Sequence, residues 1–219
     1  MSNQERIRVI GVDEAGKGPV IGSMFVAGVL NFEGLKELGV KDSKRLSPAK
    51  REYLAKRIED ATEVYVVEMT AGEIDERRKT HTMNEIMVER FSDVIVHLQP
   101  DKAIVDAADV KPERFAANLR ANYEKAGGRE IEIVSEFKAD DRYPLVSAAS
   151  IVAKVHRDRS VRAIEAKLGV EIGSGYPADP KTIQFLKGLL KEKEFDAIPS
   201  YIRRSWKTVL YIVQRDTDE

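Results

Sequence analysis

Residues Ile7-Arg8-Val9-Ile10-Gly11-Val12 run apolar into two adjacent carboxylates, Asp13 and Glu14, and then into Ala15-Gly16-Lys17-Gly18-Pro19. The β-prone run predicts a buried strand ending at the acids. Pro19 through Leu30 predicts a second, with Gly16 and Gly18 forming the turn between them. Carboxylates this close repel one another and are seldom buried unless paired or bound to a metal. Taken alone, the stretch also fits an Asp capping a turn with a solvated Glu beside it.

Gly11-Val12-Asp13-Glu14-Ala15-Gly16-Lys17 matches the first seven positions of a phosphate-cradling P-loop, but the eighth fails. That loop needs Ser or Thr after the lysine to hold magnesium, and a helix to follow. Here Gly18-Pro19 leads into a β-type run, and Asp13 and Glu14 would point negative charge at a triphosphate.

The remaining chemistry is bounded by composition. Two hundred and nineteen residues, 42% of them hydrophobic, can bury one large domain or one domain and a small appendage. With no cysteine and only His81, His97 and His156, a metal would be held mainly by oxygen. No apolar run reaches the roughly 18 residues of a spanning helix, and no signal-peptide pattern opens the chain, so a cytoplasmic protein without membrane attachment is expected. The net charge of -1, from 36 basic and 37 acidic residues, hides basic clusters at Lys41, Lys44 and Arg45, at Arg77 to Lys79, at Lys154, Arg157 and Arg159, and at Arg203, Arg204 and Lys207. Such clusters are solvated faces unless other features bring a polyanion to them.

Along the chain, Ser47-Pro48 predicts a helix start and Glu63 to Met69 a strand. Thr70 with Glu73, and Thr82 with Glu85, predict capping boxes. Lys102 to Val105 is a short strand delivering Asp106. A helix follows from Lys111-Pro112, then a strand over Glu130 to Phe137, and Lys138-Ala139 presents Asp140 just before a long helix from Tyr143-Pro144 to Gly169. Two further helices are predicted over 180–193 and 200–213. Alternating helix and strand point to an α/β sheet.

Asp13, Glu14, Asp106 and Asp140 come from strand ends and a strand-to-helix junction, which an open α/β sheet can gather at one edge. Such a set suits Mg²⁺ or Mn²⁺, often as a pair about 4 Å apart in phosphoryl chemistry. A glycosidase would need only two carboxylates, one of them protonated.

These residues carry a resemblance to the type 2 ribonucleases H (RNase HII), closer to the archaeal than the bacterial members. It rests on Gly11 to Val20, Asp42-Ser43-Lys44, Val105-Asp106, Lys138-Ala139-Asp140, Ser147 to Ile151 and Gly175-Tyr176-Pro177, in family order over nearly the whole chain. The resemblance implies an α/β, ribonuclease H-like fold, a mixed five-stranded sheet flanked by helices, as a catalytic domain over 1–175, with a helical C-terminal region over 176–219 packed on it. It implies that Asp13, Glu14, Asp106 and Asp140 are the catalytic, metal-binding acids, holding two Mg²⁺ or Mn²⁺ ions. The expected activity is hydrolysis of the RNA strand of RNA/DNA hybrids and incision 5′ of single ribonucleotides in duplex DNA, leaving 5′-phosphate and 3′-hydroxyl ends. One metal would activate water and the other stabilise the leaving oxygen.

Expected substrate contacts are the glycine turn Gly16, Lys17 and Gly18, which in the family reads the 2′-hydroxyl through backbone groups, with Ser43, Lys44, Tyr176, Arg203 and Arg204. The family usually has Arg between the two glycines; Lys17 keeps the charge and loses the bidentate fork. A monomer is expected, with no clear sliding-clamp motif at the C terminus. Another metal-dependent nuclease of the same broad fold, or a catalytically silent nucleic-acid-binding module, stands as the alternative.

Overall fold

The strands are β1 (Val9–Ala15), β2 (Met24–Leu30), β3 (Val64–Met69), β4 (Lys102–Asp106) and β5 (Glu132–Glu136). They form one mixed sheet in the order β3-β2-β1-β4-β5. β1 runs antiparallel to β2 and parallel to β4, and β4 runs parallel to β5. The computed structural model describes residues 7–40, 46–191 and 195–216. These divide into two compact units, one drawn from Met1–Ala15, Phe25–Val67 and Met83–Val155, the other from Gly16–Met24, Glu68–Thr82 and His156–Glu219.

In the first unit, helices cover both faces of the sheet. α1 (Pro48–Ala61) starts where Ser47 caps Lys50 N–H, with Pro48 at its first position. It buries Leu54, Ala55 and Ile58 with Val29 of β2 and with Leu145, Ala149 and Val152 of α6 (Pro144–Leu168). The opposite face takes α3 (Met83–Leu98) and α4 (Pro112–Lys125), whose Phe91 and Phe115 meet edge to face at 5.1 Å. Successive β1 residues face alternate layers. Gly11 lies so close to α6 that an added Cβ would stand 2.5 Å from the Leu145 carbonyl carbon and 2.7 Å from Val146 N. Asp13 projects from the same face of β1 two residues later.

The second unit is built around Val20, Ile21, Ile172, Leu186, Ile198, Ile202 and Val209. Its helices are α2 (Ala71–Arg78), closed by the Thr70–Glu73 capping box, α7 (Pro180–Leu190) and α8 (Lys207–Asp216). The C-terminal helical region that the sequence reading began at 176 lies within this unit, together with 16–24, 68–82 and 156–175.

Two expectations are corrected here. The second strand begins at Met24 and not at Pro19, because Val20 and Ile21 N–H both donate to Gly175 O, and Gly22 N–H donates to Tyr201 O. The last helix begins at Lys207 and not near 200. Ile202 is held in a bridge with Ile21, and the N–H groups of Arg204 and Ser205 go to the Asp75 carboxylate at 2.7 and 3.0 Å. A short helix the sequence did not announce, α5 (Ala139–Arg142), follows β5. No helix among the described residues is long and apolar enough to cross a membrane.

Candidate metal centre and nucleic-acid interface

At the carboxyl ends of β1 and β4, Asp13, Glu14 and Asp106 each offer an oxygen within 4.8 Å of the others. Asp13 is buried and accepts the Glu14 N–H at 2.7 Å. Burial, then the charges of Glu14 and Asp106, push its carboxyl well above the usual carboxylate range. A hydrogen bond from Ser150 and the charge of Lys154 oppose this. Lys154 Nζ in turn donates to Ser150 Oγ at 2.7 Å, so α6 lends the acids a hydroxyl and a cation four residues apart.

Asp106 accepts the Ala139 N–H at 2.7 Å, which ties the start of α5 to the end of β4. Asp140 stands one residue further on, buried in the first turn of α5 and outside the close trio. The chain enters α5 through Lys138 at φ 55°, a left-handed conformation uncommon for a residue with a Cβ. Asp109 belongs elsewhere: it is a buried anchor for the start of α4, accepting Lys111 N–H and the Arg114 guanidinium.

The donor set fits a hard divalent cation. It is all oxygen, and the crowding that raises Asp13 is what a cation between the three carboxylates relieves.

The glycine turn lies in the second unit. Gly16 has φ 88°, and a Cβ there would meet Ser23 O at 2.8 Å, so only glycine fits. Lys17 is half-buried and Gly18 exposed. Tyr176 is 40% exposed, and a Cβ placed on Gly18 would lie 3.4 Å from its ring. The Arg157 guanidinium sits 5.2 Å from the Tyr176 ring centroid and donates to Ser174 O.

Arg203 does not stand where a phosphate contact would place it. It is completely buried, and its guanidinium donates to Gly16 O at 2.6 Å, Lys17 O at 3.1 Å and Gly22 O at 3.0 Å. Burial pulls it down to about 9, which leaves it charged at neutral pH. Arg204 is half-buried, its guanidinium donating to Ile198 O. The expected contacts Ser43 and Lys44 lie outside the described residues.

Ser150, Lys154, Arg157 and Asp75 were missed as site residues by the sequence reading. Ser150 and Lys154 had a usable signal, a hydroxyl and a cation at helical spacing on the long helix predicted from Tyr143-Pro144. Asp75, holding two backbone N–H groups about 130 residues away, had none.

A mixed sheet covered by helices on both faces, with acids gathered where β1 and β4 end, defines a hydrolase of ribonuclease H-like fold. Residues 10–209 match the family model for Ribonuclease HII, and the chain belongs to that family of metal-dependent endonucleases. A Ribonuclease HII of Methanothrix thermoacetophila is 52% identical over 91% of this chain and 94% of its own. The crystal structure of ribonuclease H2 from Pyrococcus horikoshii superposes with a TM-score of 0.87 at 41% identity, over 97% of this chain and all of that one. The RNase HII of Archaeoglobus fulgidus, solved in complex with PCNA, is 43% identical with a TM-score of 0.83, over 92% of this chain and 96% of that one.

Proposed function

We propose that this ribonuclease H cleaves the RNA strand of RNA/DNA hybrids and incises duplex DNA on the 5′ side of a single embedded ribonucleotide, leaving 5′-phosphate and 3′-hydroxyl ends. The observation that carries the reading is the close trio of buried Asp13 and half-buried Glu14 and Asp106, which cannot all ionise at low cost without a cation. Asp13, Glu14 and Asp106, with Asp140 completing the set, would hold two Mg²⁺ or Mn²⁺ ions, whose chemistry there would be to activate a water and stabilise charge on the leaving 3′-oxygen.

The protein's own groups prepare that site. Ser150 steadies Asp13, and the Ala139 amide steadies one oxygen of Asp106. No side-chain nucleophile is needed. The glycine turn and Tyr176 supply recognition, the turn by backbone N–H groups on the ribose 2′-hydroxyl and the tyrosine by its ring against a sugar. The exposed C-terminal lysines Lys187, Lys191 and Lys207 hold the duplex through its phosphates. We take the enzyme to be cytoplasmic and monomeric. The Archaeoglobus complex supports a sliding-clamp contact as well, testable by co-elution with the clamp.

The decisive assay compares a DNA duplex holding one ribonucleotide, a uniform hybrid and plain DNA, each with Mg²⁺, with Mn²⁺ and in chelator. Metal-dependent cleavage of the first two, with plain DNA intact, is the expected result. Cleavage of plain DNA at the same rate would point to a general nuclease of this fold, and binding without cleavage to a silent module.

A further inference from the structure

Three consecutive carbonyls of the glycine turn are held by two side chains that the proposed chemistry does not use. Arg203 takes Gly16 O and Lys17 O, and the Trp206 indole N–H takes Gly18 O at 3.2 Å. The two side chains brace each other, the Arg203 guanidinium lying 4.9 Å from the Trp206 ring centroid. Burying a guanidinium is costly unless its donors are satisfied. Here the hydrogen-bond acceptors are backbone carbonyls of one loop.

The consequence follows from peptide geometry. The described chain has no cis peptide bonds, and in a trans peptide the carbonyl and the N–H of the next residue point in opposite directions. With Gly16 O and Lys17 O turned onto Arg203, the N–H groups of Lys17 and Gly18 point away from it. The next carbonyl precedes Pro19, which has no N–H to offer, so the presented pair ends there.

We infer that Arg203, seconded by Trp206, is a positioning residue for ribose recognition: its fork fixes the turn so that the Lys17 and Gly18 amides are presented as donors to a 2′-hydroxyl. This rests on the reading above that the turn recognises the ribose. The fork matters as much as the charge, since three carbonyls at separate angles match a planar guanidinium and not an ammonium.

The test measures affinity, in chelator to prevent turnover, for two duplexes identical except for one 2′-hydroxyl, using wild type, Arg203→Lys and Trp206→Phe. Melting curves confirm folding. Trp206→Phe keeps an aromatic ring and removes one hydrogen bond, so it carries the test if Arg203→Lys does not fold. Wild type should prefer the ribonucleotide duplex. Arg203→Lys should shrink that preference by roughly tenfold and Trp206→Phe by roughly threefold, the range expected for lost hydrogen bonds, while all-DNA affinity stays unchanged. Folded variants that keep the wild-type preference, or that lose both affinities in proportion, overturn the inference while the proposed function stands. A wild type without any preference removes the reading of the turn itself, and the inference with it.

Discussion

Asp13 is pulled two ways: burial and its acidic neighbours favour the neutral carboxyl, and a bound cation requires the ionised one. Asp13→Asn and Asp106→Asn should therefore lower kcat by more than about a hundredfold, the upper end seen when even outer partners of metal ligands are lost. Duplex affinity should hold or rise, because each change removes negative charge near phosphates; single-turnover rates and binding in chelator check both halves. At Tyr176, Tyr176→Ala should lose more cleavage of the embedded-ribonucleotide duplex than Tyr176→Phe, since it removes ring and hydroxyl together. Lys17→Ala should change discrimination little if the backbone does the reading. A parallel fall of Tyr176→Ala on the uniform hybrid, or a lowered Tm alone, would make the tyrosine a packing residue. Asp109 gives a pH signature. The Arg114 hydrogen bonds, foremost, hold its carboxyl below the ordinary value. Its stabilisation is thus present above the unfolded carboxylate pKa and fades as pH falls through the lowered folded one. Asp109→Asn should lower Tm at neutral pH, and the gap to wild type should close in acid.

Between elements, β1 lies with its backbone directly against that of α6 at Gly11. Gly11→Ala would drive a Cβ into backbone at 2.5 Å, which no rotamer change can relieve, so it should cost about 3 kcal/mol or more, read as a lowered denaturation midpoint. Gly188, exposed in α7 with nothing within 4 Å of an added methyl, is the contrary case: Gly188→Ala should stabilise by about 0.5–1 kcal/mol through helix propensity. Legibility in the sequence followed the reach of the signals. Ser47-Pro48, Thr70 with Glu73, and Pro144 mark their helices locally, and the structure begins those helices there. The acids were legible as carboxylates following apolar runs, and the structure draws Asp13, Glu14 and Asp106 together. What escaped was set by distant partners. Residues 19–23 have a strand's composition, but their backbone bonds go to Gly175, Tyr201 and Arg203. Arg203 reads as one charge in a basic run, and nothing near it announces that its acceptors lie more than 180 residues away.

For the molecule as a whole, near-neutral net charge leaves duplex affinity to where the cations are displayed. Replacing Lys187, Lys191 and Lys207 by glutamine should flatten the plot of log affinity against log salt by about one unit for each lysine that rests on a phosphate. Neutralising Arg203 should leave that slope alone, since it is buried; an unchanged slope in the lysine variant would move the duplex track elsewhere. The ties of Arg203 to Gly16, Lys17 and Gly22 span 187, 186 and 181 residues. On the ribosome the glycine turn must wait, at about 5–20 residues per second, roughly ten to forty seconds for the side chain that holds it. A nascent chain arrested before residue 203 would already carry Asp13, Glu14, Asp106 and Asp140 yet lack the clasp on its turn, so translation itself leaves the turn unclasped until Arg203 has been made.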